Sequence, residues 1–75
     1  MKELVEYIAK AIVDKPEEVV VTEEASDGRV TIRLKVATED TGKVIGKQGR
    51  IIQAIRSLVK VAAVKSGTRV MLEIV

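Results

Sequence analysis

The chain has 75 residues, of which 47% are hydrophobic and 32% are charged, and this balance is typical of one compact globular domain. Cysteine and histidine are absent, which excludes disulfides, thiolate metal sites and the commonest general base. No apolar run approaches the roughly 20 residues of a membrane span, and acidic residues interrupt the N-terminal segment. We therefore expect a cytoplasmic protein with no signal peptide, membrane segment, metal, cofactor or small-molecule substrate.

Charge is distributed unevenly along the chain, although its net value is only +2. Residues 1–40 hold six Lys or Arg against ten Asp or Glu, whereas residues 41–75 hold seven Lys or Arg against the single acid Glu73. Such an asymmetry indicates either a polyanionic partner for the second half or two halves that neutralise each other within the fold. The charge pattern alone leaves both interpretations open.

The N-terminal segment predicts an amphipathic helix over residues 2–14. Its expected buried stripe consists of Leu4, Ile8, Ala11 and Ile12. Pro16 disfavours helical angles at the residue before it and is expected to end the helix. Tyr7 is the single aromatic residue of the chain, and we expect it at the edge of the core.

Two strands follow the first helix. The β-branched run over residues 17–24 predicts one strand, and Asp27-Gly28 is a strong hairpin signal. Residues 29–36 alternate strictly between apolar and polar side chains, which predicts a second strand with one buried face and one basic, solvated face. The cations on that solvated face are Arg29, Arg33 and Lys35.

The second half predicts two helices and a strand. Thr38 or Asp40 is suited to cap a short helix that ends near Gly46. A longer helix begins at about Arg50, and Gly67 is suited to end it. Residues 68–75 alternate as a third strand.

This order predicts an α+β fold. The two-helix crossover makes the strands at 29–36 and 68–75 parallel, and the hairpin makes the first two strands antiparallel. We therefore expect a three-stranded mixed sheet, in the order α-β-β-α-α-β along the chain, with three helices on one face.

The pair Gly46 and Gly49 is unusual in the middle of a helical region, because glycine weakens a helix interior by roughly 1 kcal/mol relative to alanine. Two glycines around Lys47 and Gln48 predict a tight loop with little side-chain bulk at its ends. Backbone N–H groups of such a loop, together with the N-terminus of the following helix, form a natural anion site. The flanking cations Lys43 and Arg50 add positive charge to it.

The stretch VIGKQGRII resembles the signature of the KH RNA-binding domain, whose core pattern is V-I-G-x-x-G-x-x-I. The matching positions are Val44, Ile45, Gly46, Gly49 and Ile52. The element order also resembles the prokaryotic type II arrangement. The resemblance covers the whole chain, 1–75, with a helix and strand extension over 1–25 and a β-α-α-β core over 29–75.

The resemblance implies an RNA-binding function, as a post-transcriptional regulator or RNA chaperone. It implies that Gly46, Lys47, Gln48 and Gly49 clamp the backbone of about four single-stranded nucleotides. It further implies a groove beside the loop, with the strand at 29–36 on its far wall. The implied groove residues are Val44, Ile45, Ile52 and Ile55, and core packing is the alternative interpretation for each of them.

The long helix carries more apolar surface than one buried face requires. Its apolar stripe spans about 200° of the helical wheel, against about 100° for an ordinary one-sided helix. We expect the surplus near Val61 and Val64 to contact a second protein chain. The resemblance implies a homodimer, a heterodimer with a larger KH-containing protein, or both.

Other functions remain as alternatives. An enzyme is excluded on two grounds: GKVIGKQ lacks the spacing and the Ser or Thr of a phosphate-binding P-loop, and no nucleophile has a base beside it. An interaction module with little RNA binding, or a binder of single-stranded DNA, stays open. Arg56 and Lys60 either contact phosphates or form a solvated helix face.

Overall fold

The computed structural model describes all 75 residues and confirms the predicted order of elements. The helices and strands are α1 (Lys2–Ile12), β1 (Val20–Ser26), β2 (Arg29–Lys35), α2 (Thr41–Ile45), α3 (Arg50–Ser66) and β3 (Arg69–Ile74). Short 3-10 turns occupy Pro16–Glu18, Thr38–Asp40 and Lys47–Gly49. None of the helices has the length and apolar character needed to cross a membrane.

The sheet has the predicted mixed topology, with strand order β1-β2-β3. The turn at Asp27 and Gly28 makes β1 and β2 antiparallel, and the α2–α3 crossover makes β2 and β3 parallel. The alternation of β2 explains the layering, because Val30, Ile32 and Leu34 are buried while Arg33 and Lys35 are exposed. The fold is therefore α+β, as the sequence predicted.

The core lies between the buried face of the sheet and the three helices. Each helix contributes apolar side chains to it: Val5 and Ala9 from α1, Val44 from α2, and Ile52, Ile55 and Val59 from α3. Ile32 and Leu34 of the central strand are completely buried. Since α2 and α3 both pack on this core through aliphatic side chains, the loop between them is held on two sides.

Four details of the first half differ from the prediction. Helix α1 ends at Ile12, and β1 starts at Val20 because Pro16–Glu18 form a 3-10 turn instead of strand. The centre of the buried stripe of α1 is Val5 and Ala9, so the expected stripe was rotated by about one position. Tyr7 is 76% exposed, and its prediction as a core-edge residue was wrong because it lies on the outer face of α1.

Asp40 occupies the N-cap position of α2, but its side chain does not make the capping contact predicted for Thr38 or Asp40. Its carboxylate makes no cap hydrogen bond to α2. It is 1% exposed and accepts hydrogen bonds from the backbone N–H groups of Asp14 at 3.2 Å and Lys15 at 3.0 Å. The carboxylate thus joins the segment after α1 to the start of α2. Two charge-assisted bonds of this kind offset the cost of burying a charge.

The turn between α2 and α3 depends on backbone angles that favour glycine. Gly46 has φ 77° and ψ 173°, Gln48 has φ 57° and Gly49 has φ 73°. The Gly46 N–H closes α2 by donating to the Gly42 carbonyl at 2.8 Å. A Cβ at Gly46 would lie 2.6 Å from Ile51 Cγ1, so the loop folds back on α3 more closely than any other residue permits.

Replacing Asp40 with Asn should lower the free energy of unfolding by about 1–3 kcal/mol, because an amide group would face two N–H donors that need acceptors. Urea unfolding followed by circular dichroism measures this loss. The matched control is Glu39→Gln, which alters an exposed neighbour and should change the transition much less. An unchanged midpoint for Asp40→Asn would contradict the role assigned to its carboxylate.

Gly46→Ala should destabilise the fold, since the new Cβ meets both the backbone N and the side chain of Ile51 within 3.0 Å. Strain at a positive φ alone costs about 1–3 kcal/mol. Gly42→Ala is the matched control, because nothing lies within 4 Å of its Cβ and alanine favours the helix. Equal unfolding midpoints for the two variants would disprove the close packing at Gly46.

Candidate functional site

The four-residue loop Gly46–Gly49 lies at the protein surface. The side chains of Lys47 and Gln48 are exposed, while Gly46 and Gly49 are half-buried. The positive φ values interrupt the helical path, so α2 and α3 are separate helices and the loop forms a corner between them. The corner presents main chain with little side-chain cover, which suits close approach by a ligand backbone.

The start of α3 carries positive charge that no acid opposes. No side chain caps its N-terminus at Gly49, and its first turn contains no acidic residue. The dipole of a helix of 17 residues places partial positive charge at this end. Arg50 adds a full charge there, and its Nη2 donates to Gln48 Oε1 at 3.4 Å. The arrangement can therefore bind an anion.

Lys43 differs from the other cations near the loop because it already has an acidic partner. Its ammonium group donates a hydrogen bond to the Asp14 carboxylate, which raises the pKa of Lys43 above its ordinary value. Neither Lys47 nor Arg50 forms an ion pair within 4.0 Å. Lys47 and Arg50 are thus the loop cations that a ligand phosphate can meet without displacing a carboxylate.

The four expected groove residues fall into two groups. Val44, Ile52 and Ile55 are 0%, 6% and 3% exposed and pack within the hydrophobic core. Ile45 is 37% exposed at the end of α2. Val44, Ile52 and Ile55 therefore support the loop and the helices from within the core, which agrees with the core-packing interpretation. Ile45 instead presents apolar surface directly beside Gly46.

An open cleft of about 510 Å³ runs between α3 and β3. Its lining consists of Arg56, Val59, Lys60, Ala63, Val64 and residues 68–72. The strand that forms its wall is β3, the edge strand beside α3. The lining includes neither the loop 46–49 nor any of the four expected groove residues, so this cleft is a different surface from the groove predicted beside the loop.

Arg56 and Lys60 both line this cleft, one helical turn apart on α3. The Nη2 of Arg56 donates to the Leu72 carbonyl at 3.4 Å, so its side chain reaches across from α3 to β3. Neither residue has a carboxylate within ion-pair distance. The sequence left open whether Arg56 and Lys60 contact phosphates or form a solvated helix face. It did not reveal that both lie beside an open cleft.

The ion pairs bear on the two interpretations of the charge asymmetry. Lys43 is the one cation of the second half that pairs with an acid of the first half, through Asp14. Six cations of the second half pair with no carboxylate within 4.0 Å: Lys47, Arg50, Arg56, Lys60, Lys65 and Arg69. The acids of the first half therefore do not neutralise the second half through direct contacts, and its positive charge faces solvent.

The outer face of α3 exposes apolar side chains, as its broad apolar stripe predicted. Leu58, Val61 and Val64 are 53%, 57% and 72% exposed and follow one another at intervals of three residues. They form one continuous strip on the helix, here called the α3 strip. The buried side of the same helix is formed by Ile52, Ile55, Val59 and Ala63, so the strip is additional to what the core uses.

The chain is similar to known proteins, both to a family as a whole and to individual relatives. A family described as "KhpA/KhpB, KH domain" matches residues 2–74. Proteins named "RNA-binding protein KhpA" from Clostridium perfringens, Clostridium acetobutylicum and Caldanaerobacter subterraneus subsp. tengcongensis are 57%, 56% and 60% identical to it over 75 residues, covering all of both chains. No solved structure shows a significant match.

These similarities extend over both the loop and the elements that hold it. The family match includes the α1–β1 extension as well as the core, and the relatives have the same length as this chain. The family is not one of enzymes, which agrees with the exclusion of catalysis from the sequence. On this basis the chain belongs to the KhpA/KhpB family of KH-domain proteins.

Proposed function

We propose that this protein binds single-stranded RNA by gripping its sugar-phosphate backbone with the loop Gly46–Gly49. The observation that carries the proposal is the exposed, glycine-flanked corner at an uncapped helix N-terminus, in a chain whose family consists of KH-domain proteins. The relatives named above are described as RNA-binding proteins, which supports the same ligand class.

The chemistry of the grip follows from the exposed groups. Gly46 and Gly49 leave room for the ligand backbone, and the first N–H groups of α3 point toward it. Lys47 supplies a charge for one phosphate, and Gln48 donates hydrogen bonds to phosphate or sugar oxygens. Arg50 adds a guanidinium, which is suited to bidentate contact with a phosphate. Lys43 joins these contacts only when its pair with Asp14 opens.

The cleft between α3 and β3 accommodates the bases that follow the gripped backbone. Val59 and Ala63 give it an apolar floor, and Arg56 and Lys60 stand on its rim. Ile45 contributes apolar contact beside the loop, while Val44, Ile52 and Ile55 act from below as supports. A KH site of this kind holds about four nucleotides. The chain has no exposed aromatic residue beside the cleft, so the bases contact aliphatic and polar groups.

In this proposal the protein acts in the cytoplasm as a post-transcriptional regulator or RNA chaperone, without a cofactor. A second protein chain covers the α3 strip. That partner is another copy of the same protein, a larger KhpB-like KH protein, or each in turn. The exposure of three aliphatic side chains on one helix face supports the contact. Removing contiguous apolar surface from water is favourable, and such surfaces commonly mark protein interfaces.

The double variant Lys47→Asp/Gln48→Asp tests the grip. We expect its affinity for a short single-stranded RNA to fall by more than about tenfold, because two carboxylates would face the phosphates. Wild-type binding should also weaken with salt, with a slope of about −0.7 for each phosphate contacted. Fluorescence anisotropy at several salt concentrations measures both effects, with single-stranded DNA as a parallel ligand.

The matched control for this experiment is Lys2→Asp/Tyr7→Asp, which makes the same charge change at two exposed positions of α1. It should bind like the wild type. Circular dichroism should give the same fold for all three proteins. Equal RNA binding by the loop variant and the control would refute the grip and favour an interaction module, and tighter binding of DNA than of RNA would change the ligand class.

Val61→Glu tests the protein contact. A carboxylate in the middle of the α3 strip should leave a folded monomer, because an apolar interface does not accept an unpaired charge. Sedimentation velocity measures the mass, with wild type expected as a dimer at the same concentration. Tyr7→Glu, on the exposed face of α1, is the control and should stay dimeric. A dimeric Val61→Glu protein would remove the strip from the interface.

A further inference from the structure

We propose that Arg29 and Arg69 form a second phosphate-binding site on the outer face of the sheet. An RNA strand longer than the cleft would extend beyond the cleft at the start of β3. There it would place a phosphate between the two guanidinium groups. This inference rests on the proposed RNA-binding function and extends its footprint. Neither residue belongs to the loop, and the sequence interpretation treated Arg29 as a solvated charge.

The register of the sheet places the two arginines side by side. Arg29 and Arg69 are direct partners across the parallel pair β2–β3, so their side chains leave the same face. Both are exposed. Like charges directly opposite each other destabilise a sheet. The pair is therefore an unfavourable arrangement that a bound anion would relieve.

No carboxylate of the protein relieves the repulsion between these two arginines. Arg29 and Arg69 form no ion pair within 4.0 Å, although Asp27 lies only two residues before Arg29 in the hairpin. The next cation on the same face is in a different situation. Arg33 pairs with Glu24 at 2.6 Å and with Glu73 at 3.4 Å. Arg33 therefore has two acidic partners on this face of the sheet, whereas the adjacent Arg29 and Arg69 have none.

The cleft links this pair to the cations of α3. Arg69 lines the cleft, together with Thr68 at the end of the crossover. Because α3 and β3 run in opposite directions, this end of the cleft lies away from the loop Gly46–Gly49. Arg56 and Lys60 therefore lie in the same cleft as Arg69, whose partner in the sheet is Arg29.

The chemistry of the pair suits a phosphodiester. Two planar guanidinium groups can each donate two N–H bonds to phosphate oxygens, and neither can lose its charge at physiological pH. A strand that leaves the cleft carries a phosphate at every nucleotide, so one reaches the pair as soon as the RNA exceeds the cleft length. The site is expected to read charge and not base identity.

The test compares a tetranucleotide and a decanucleotide of uridine on wild type and on Arg29→Gln/Arg69→Gln. The ratio of decanucleotide to tetranucleotide affinity should fall about fivefold in the variant at roughly 0.1 M salt. This is the contribution of one phosphate contact when the logarithm of the binding constant changes by about 0.7 for each tenfold change in salt. The salt slope for the decanucleotide should fall by the same ~0.7. The control is Lys10→Gln/Lys35→Gln, which removes two exposed cations away from the cleft and should keep the wild-type ratio.

The outcomes separate this inference from the function on which it rests. An unchanged affinity ratio in Arg29→Gln/Arg69→Gln, with tetranucleotide binding still lost in Lys47→Asp/Gln48→Asp, would overturn the second site and leave the grip intact. An equal loss of ratio in the control would also overturn it, because the effect would then be general electrostatics. Absence of RNA binding by the wild type would overturn both.

Discussion

The close approach of Gly46 to Ile51 is the contact on which the rest of the site depends. It lets α2 end and α3 begin within a few residues, and a single methyl group at Gly46 would meet the backbone of α3. The aliphatic residues on either side, Val44 and Ile52, anchor both helices in the core. A rigid apolar base therefore holds a corner that is almost bare of side chains. Val44 and Ile52 thus stabilise the fold beneath the loop, while the loop residues themselves stay at the surface.

The second organising feature is the separation of charge. The acids lie mostly on the first half, where several pair with nearby cations or, in the case of Asp40, accept backbone hydrogen bonds. The cations of α3 and its flanks have no such partners. The net charge of +2 hides this arrangement, since the excess of acids in the first half offsets most of the excess of cations in the second half. A polyanion therefore meets a positive surface on a protein that is nearly neutral overall.

The sequence predicted the elements whose patterns are local and strong. The alternation of β2 and the spacing of Gly46 and Gly49 led directly to a buried strand and an exposed turn. The sequence did not predict features that depend on how distant segments pack together. Tyr7 could occupy either side of α1 by pattern alone, and Asp40 fits a helix cap equally well until the distant Asp14 segment is placed beside it. The cleft between α3 and β3 was not predicted, because it depends on how the side chains of two elements pack against each other in space.

A nuclear magnetic resonance titration of the labelled protein with a short single-stranded RNA would locate the bound strand residue by residue. We expect the largest backbone amide shifts at residues 46–51, followed by smaller shifts along the cleft-facing side of α3 and β3. The buried face of the sheet should change little. Shifts concentrated on α1 or β1, with unchanged amides at residues 46–51, would show that the loop does not grip the RNA backbone.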